Sequence, residues 1–95
     1  MLAAETVLKR HPDVVATKDS SREMMLLHLV RKRYYALDGT GPVVWSLIDG
    51  KRDLRTIGME LTRRFEVELP EAIAAVQRHA AELLQEELVV EVRVG

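Results

Sequence analysis

Cysteine is absent from this 95-residue chain, which excludes disulfides and thiolate metal sites. The three histidines, His11, His28 and His79, lie far apart and lack the i, i+4 partner or nearby carboxylate motif of zinc sites. His28 sits inside an apolar stretch and reads as a hydrogen-bonded structural histidine. Neither Ser20 nor Ser46 is framed by a nucleophile elbow, so no Ser-His-Asp hydrolase is indicated. Gly39 and Gly41 lack the remaining spacing of a phosphate loop, which leaves them to turn chemistry. No apolar run approaches the roughly 20 residues needed to span a bilayer. Residues 1–13 lack a basic start followed by a long apolar run, so they do not read as a signal peptide, and a cytoplasmic location is expected. An excess of either charge is missing too. With 14 basic and 15 acidic residues the net charge is −1, which offers no bulk attraction for nucleic acid or an anionic membrane.

There is also no internal repeat, low-complexity block or linker, so one domain over residues 1–95 is expected, with 1–6 as a loose end. What is present is a run of strand patterns followed by a run of helix patterns. That order predicts an α+β domain: an N-terminal three-stranded antiparallel sheet, then a three-helix bundle of winged helix-turn-helix outline. Val7 and Leu8 open with a short strand or arm. Residues 14–17 are β-branched after the Pro12-Asp13 turn signal, and a polar turn follows at 18–21. Residues 24–30 are apolar almost throughout, the pattern of a strand covered on both faces. The basic turn Arg31-Lys32-Arg33 leads to the aromatic strand 34–37.

Asp38-Gly39-Thr40-Gly41 breaks that strand, and Pro42 suits the first position of a helix whose apolar face is Val44, Trp45, Leu47 and Ile48, with Gly50 as its stop. Asp53 is a candidate N-cap for a second helix over 54–65, with Leu54, Ile57, Leu61 and Phe65 inward. Gly58 within it is expected to weaken the helix by about 1 kcal/mol relative to alanine. Pro70 and Glu71 start the third helix, to about residue 87, and 88–94 alternates as a terminal strand.

Two features point to binding. In the third helix, with Ile73 taken as the core direction, Val76, Ala80 and Leu84 lie close to it, and Ala72, Ala75, His79 and Leu83 form a flanking stripe. That stripe either packs the helix on the sheet or forms one wall of a groove whose other wall is strand 34–37. An extended peptide could then add to the strand's free edge. Tyr34 and Tyr35 fit such a site, one toward the helices and one away, in an order the pattern leaves open. Glu71, Glu82, Glu86 and Glu87 read as a solvated face. Arg63-Arg64 and Arg31-Lys32-Arg33, with the winged outline, keep a DNA-binding regulator as an alternative, disfavoured by the acids and alanines of the third helix.

These motifs together resemble the PqqD-like family, the RiPP recognition elements of ribosomal peptide biosynthesis, over roughly Val14 to Val89. The resemblance rests on Tyr35-x-Leu37, then Gly41-x-x-x-Trp45-x-Leu47-x-Asp49-Gly50. It continues with Leu54-x-x-Ile57-x-x-x-Leu61, Phe65-x-Val67, Val76 through Leu83, and Leu88-Val89. It implies a non-enzymatic adaptor without metal or cofactor. A precursor's leader peptide would bind as an added strand against the third strand, beside the third helix, and be delivered to a separate maturation enzyme such as a leader peptidase. Carried onto this chain, the strand wall is Arg33, Tyr34, Tyr35, Ala36 and Leu37, and the helix wall is Ala72, Ala75, Val76, His79 and Leu83. Relatives often carry an acid near Ala75 and a larger apolar or aromatic residue near His79, so a wider, less charged groove is expected. A free-standing chain of this size is similar to two subgroups: the leader-binding protein of split lasso-peptide systems, which is favoured, and PqqD of pyrroloquinoline quinone assembly with its radical enzyme. The basic turn would suit acids in the leader.

Overall fold

The computed structural model describes residues 2–18 and 23–93. The expected polar turn at 18–21 (with Ser20) and Val94 of the expected terminal strand fall largely or wholly outside those residues. Eight elements follow in chain order: β1 (Leu8–Arg10), β2 (Val14–Lys18), β3 (Met24–His28), β4 (Arg33–Leu37), α1 (Gly41–Leu47), α2 (Leu54–Arg64), α3 (Leu69–Gln85) and β5 (Val89–Glu91). The α+β class is as the pattern predicts. Strands β2, β3 and β4 form an antiparallel sheet in that order, and β1 pairs antiparallel with β5 in a separate two-stranded ribbon. The strand after α3 therefore pairs with the N-terminal strand, Leu8 opposite Glu91, rather than with a following hairpin partner.

The sheet turns one face to the helices. Leu26 and His28 are buried, and Val14, Met24, Tyr35 and Leu37 pack against the core built from Val44, Trp45, Ile57, Leu61, Val76 and Leu83. The alternate residues Val15, Met25, Leu27, Tyr34 and Ala36 face the other way, and Tyr34 is 69% exposed. This corrects the expectation of a strand covered on both faces at 24–30. The strand ends at His28, Met25 is open to solvent, and Leu29 and Val30 project from the turn. The run is apolar because both faces of this sheet are apolar, not because both are covered.

Residues 2–6 are tied to the helices rather than hanging as the loose end expected. Thr6 and Ala4 carbonyls accept from the Leu54 and Arg55 N–H groups at 3.0 and 2.9 Å, and Gln77 Nε2 donates to the Leu2 carbonyl at 2.8 Å. Asp53 caps α2 as predicted, its carboxylate accepting from Thr56 N–H at 2.8 Å. Three of the four N–H groups that a helix start leaves unpaired are thus satisfied by named partners. At the other end of the bundle, Glu87 takes a left-handed φ of 58° after α3. Leu88 N–H then reaches the Leu83 carbonyl and Glu87 N–H the Leu84 carbonyl, a Schellman closure that swings Leu88 and Val89 into the core.

Gly58 has a use that helix propensity hides. A Cβ there would lie 2.9 Å from Ile73 Cγ1 and 3.2 Å from the Ile73 backbone, so the hydrogen is what lets α2 and α3 approach.

Candidate functional site

Because β4 is the last strand of its sheet, one side of its backbone has no partner strand among the described residues. Which groups face that side follows from alternation. Leu29 N–H donates to the Asp13 carbonyl on the β2 side, and Lys32 N–H to the His28 carbonyl on the β4 side. Backbone polar groups of successive strand residues point to opposite sides, so His28, Leu26 and Met24 pair toward β4, opposite Arg33, Tyr35 and Leu37. The N–H and C=O groups of Tyr34 and Ala36 therefore point out of the sheet.

Beside that edge runs the C-terminal half of α3, antiparallel to β4. Thr40 Oγ1, just past the end of β4, lies 3.2 Å from His79 Nε2. Tyr35 donates its hydroxyl to the Glu86 carboxylate at 2.7 Å, and Arg31, before the strand, meets Glu87 at 2.6 Å. Between strand and helix lies a cavity of about 300 Å³ lined by Tyr35, Ala36, Leu37, His79, Glu82, Leu83, Gln85, Glu86 and Leu88. A second cavity of about 200 Å³, formed by Glu23, Met24, Met25, Ala36, Leu37 and Asp38, lies where the start of β3 meets the end of β4. Gly41 keeps the junction narrow, since a Cβ there would press on Leu37 at 3.3 Å and approach the His79 ring at 3.8 Å.

The electrostatics are set by three groups. Half-burial holds the His79 imidazole below its ordinary value of 6.5, so the ring is neutral near pH 7. The hydrogen bond to the Glu86 carboxylate, aided by desolvation, raises the Tyr35 phenol. Arg33 lies over the Tyr35 ring at 5.8 Å and 3.9 Å from Glu86, closing the end of the groove nearest the hairpin turn. The basic turn is therefore engaged with the end of α3: Arg31 holds Glu87 and Arg33 holds Glu86.

Of the residues assigned from sequence, the structure brings Tyr35, Ala36, Leu37, His79 and Leu83 together around the cavity. Arg33 stands at its end, and Tyr34 projects from the opposite face of the sheet, which resolves the tyrosine order: Tyr35 inward, Tyr34 outward. Ala75 is half-buried one turn before His79 and does not line the cavity. Ala72 and Val76 are 1% and 0% exposed and belong to the core, so they cannot form a groove wall. The physical reason is the helix's rotation. Its core line is Ala72, Val76, Ala80 and Leu83, turned away from Ile73, and the groove-facing line is His79, Glu82 and Glu86. Glu82, Gln85, Glu86 and Leu88 were missed, and the two glutamates had been read as a solvated face. Their i, i+3, i+7 spacing from His79 was the available signal.

The remaining candidates have structural employment. His28 Nδ1 accepts from Arg31 N–H at 3.2 Å and its ring lies 4.8 Å from that of His11, whose Nδ1 accepts from Asp13 N–H at 3.0 Å. Arg63 and Arg64 both pair with Glu60, at 3.6 and 3.7 Å. Among the described residues no three acids or histidines converge as a metal site, and no helix is long and apolar enough to cross a membrane.

The family model of coenzyme PQQ synthesis protein D (PqqD) matches residues 23–89, which include both walls of the groove. The chain belongs to the PqqD family. Among solved structures, this PqqD-family chain is similar to TbiB1 in complex with the TbiA(beta) leader peptide. The identity is 26%, over 85% of this chain and 93% of that one, with a TM-score of 0.77. No curated protein sequence matches it.

Proposed function

We propose that this PqqD-family chain is a leader-peptide recognition module of ribosomal peptide biosynthesis, which binds the precursor's leader as an added strand on β4. It performs no chemistry itself and hands the leader to a separate maturation enzyme. The observation that carries the reading is the unpaired edge of β4 beside the α3 groove, with the N–H and C=O groups of Tyr34 and Ala36 directed outward. Membership of the PqqD family and likeness to a leader-bound TbiB1 support it. Main-chain pairing supplies affinity with little sequence demand, and the cavity at Leu37, His79 and Leu83 supplies side-chain selection. Arg33, Tyr34, Tyr35, Ala36, Leu37, His79 and Leu83 from the initial set, with Glu82 and Glu86 added, form the contact surface.

The finer reading is a split lasso-peptide system with a separate leader peptidase. A neighbouring cyclase and peptidase gene would support it, and a neighbouring radical enzyme would move the assignment to pyrroloquinoline quinone assembly.

Amide hydrogen exchange tests the central claim. In the free protein Tyr34 and Ala36 amides exchange fast while Tyr35 and Leu37 are protected by β3. On saturation with a leader peptide, Tyr34 and Ala36 become protected. If those two amides stay fast when the peptide is bound, strand addition at β4 is wrong.

A further inference from the structure

The cavity between β4 and α3 carries one sign of charge along its helix wall. Glu82 and Glu86 line it, and among the described residues no lysine or arginine does. This is a local property, because the whole chain carries a net charge of only −1. The Arg33 guanidinium, at the end of the cavity, is engaged with Glu86 and the Tyr35 ring. The Glu82 carboxylate has no basic side chain within 4.0 Å among the described residues. His79 lies one helical turn from Glu82 and is neutral near pH 7, so it places no positive charge beside the Glu82 carboxylate.

We propose that the strand bound at β4 is basic: it presents a large apolar side chain to Leu37, His79 and Leu83 and a lysine or arginine to Glu82. The spacing is physical. Strand residues two apart point to the same face and lie about 6.7 Å from each other. His79 and Glu86 are seven residues apart on α3, a rise of about 10 Å, so two neighbouring inward-facing positions of an added strand fit between them. One would meet the apolar end near His79 and the other the carboxylates toward Glu86. This replaces the acidic leader that the basic turn had suggested, since Arg31 and Arg33 are already paired with the end of α3. The proposal deepens the strand-addition reading and rests on it.

The test is a library of random peptides displayed on phage and selected at low salt against the full chain, with Ala36→Pro as the edge-blocked control. Peptides lost on Ala36→Pro should be enriched in lysine or arginine two residues from a large apolar residue. Replacing that basic residue by glutamine in the synthetic peptide should weaken binding about two- to five-fold, and about 1 M salt should have a similar effect. Glu82→Lys should shift selection toward aspartate and glutamate. Glu82→Gln, a milder change at an exposed helix position, should erase the preference with the thermal unfolding curve unchanged. Edge-dependent peptides without a basic preference, or with an affinity indifferent to salt and to Glu82→Gln, overturn the proposal and leave strand addition standing. A library yielding no binder, or only binders unaffected by Ala36→Pro, overturns strand addition itself.

Discussion

A proline at position 36 separates the two sides of β4. Ala36 N–H points away from β3, so Ala36→Pro deletes no bond of the native sheet, and proline is tolerated on a strand edge whose N–H faces solvent. The preceding residue must be extended, which Tyr35 already is within β4. Folding stability should therefore change by no more than about 1 kcal/mol, the lost backbone freedom of the unfolded chain working in its favour. The bound peptide, by contrast, loses one of the four main-chain bonds that Tyr34 and Ala36 can make, at a net cost of about 0.5–1.5 kcal/mol. The pyrrolidine ring also occupies the space where the partner's carbonyl would sit. Together these should weaken binding at least about ten-fold, since each factor of ten is about 1.4 kcal/mol. Tyr35→Pro gives the contrast: its N–H faces Leu26, so that change breaks the native ladder and should lower stability outright. Calorimetric titration with a peptide selected on the wild-type chain, beside urea unfolding of each variant, makes the comparison. Retained fold and unchanged affinity in Ala36→Pro would refute the assignment of the free edge. Equal unfolding of both variants would refute the alternation from which it was derived.

Three further outcomes are expected. Gly58→Ala gains about 1 kcal/mol of helix propensity but pushes a methyl into Ile73, so a net loss of about 1–2 kcal/mol should appear in chemical unfolding. Asp53→Ala removes the α2 cap and should cost about 1 kcal/mol. The Thr56 N–H that lowers the Asp53 carboxyl below 3.8 makes this contribution present above that value and lost as pH falls through the lower folded-state value, which an acid-unfolding series would follow. His79 is held low by burial, so the unfolded chain binds its proton first and stability declines as pH drops below 6.5; His79→Gln should flatten that part of the stability–pH curve.

Much of this was legible in the residues because it is local. Pro42, Asp53 and Pro70 mark helix starts through their own backbone chemistry, and all three helices begin within a residue of the expected place. The motif from Tyr35 to Gly50 carried the family resemblance, and the family match over 23–89 agrees with it. His28 is structural for an equally local reason, its bond from Arg31 N–H three residues on.

The misreadings have a common origin. A helical wheel gives the angular order of side chains but not the rotation of the helix against its neighbours. Centring α3 on Ile73 put Ala72 on the groove stripe, the family resemblance added Val76, and Glu82 and Glu86 read as solvent-facing; the packed bundle buries the first two and turns the glutamates to the groove. Gly58 looked like a defect because propensity is a one-helix quantity, whereas its value comes from Ile73 on another helix.

By itself, then, the sequence determined the class of fold, the order of its elements and the edge strand at 34–37. Each of these is written in short-range patterning and residue chemistry. Only the tertiary structure decided that Tyr35 faces inward and Tyr34 outward, that Tyr34 and Ala36 hold the free backbone groups, and that the groove is acidic. Those depend on which side of β4 meets β3 and on how far α3 is turned when its small residues seat against the core, and both are contacts between residues distant in the chain.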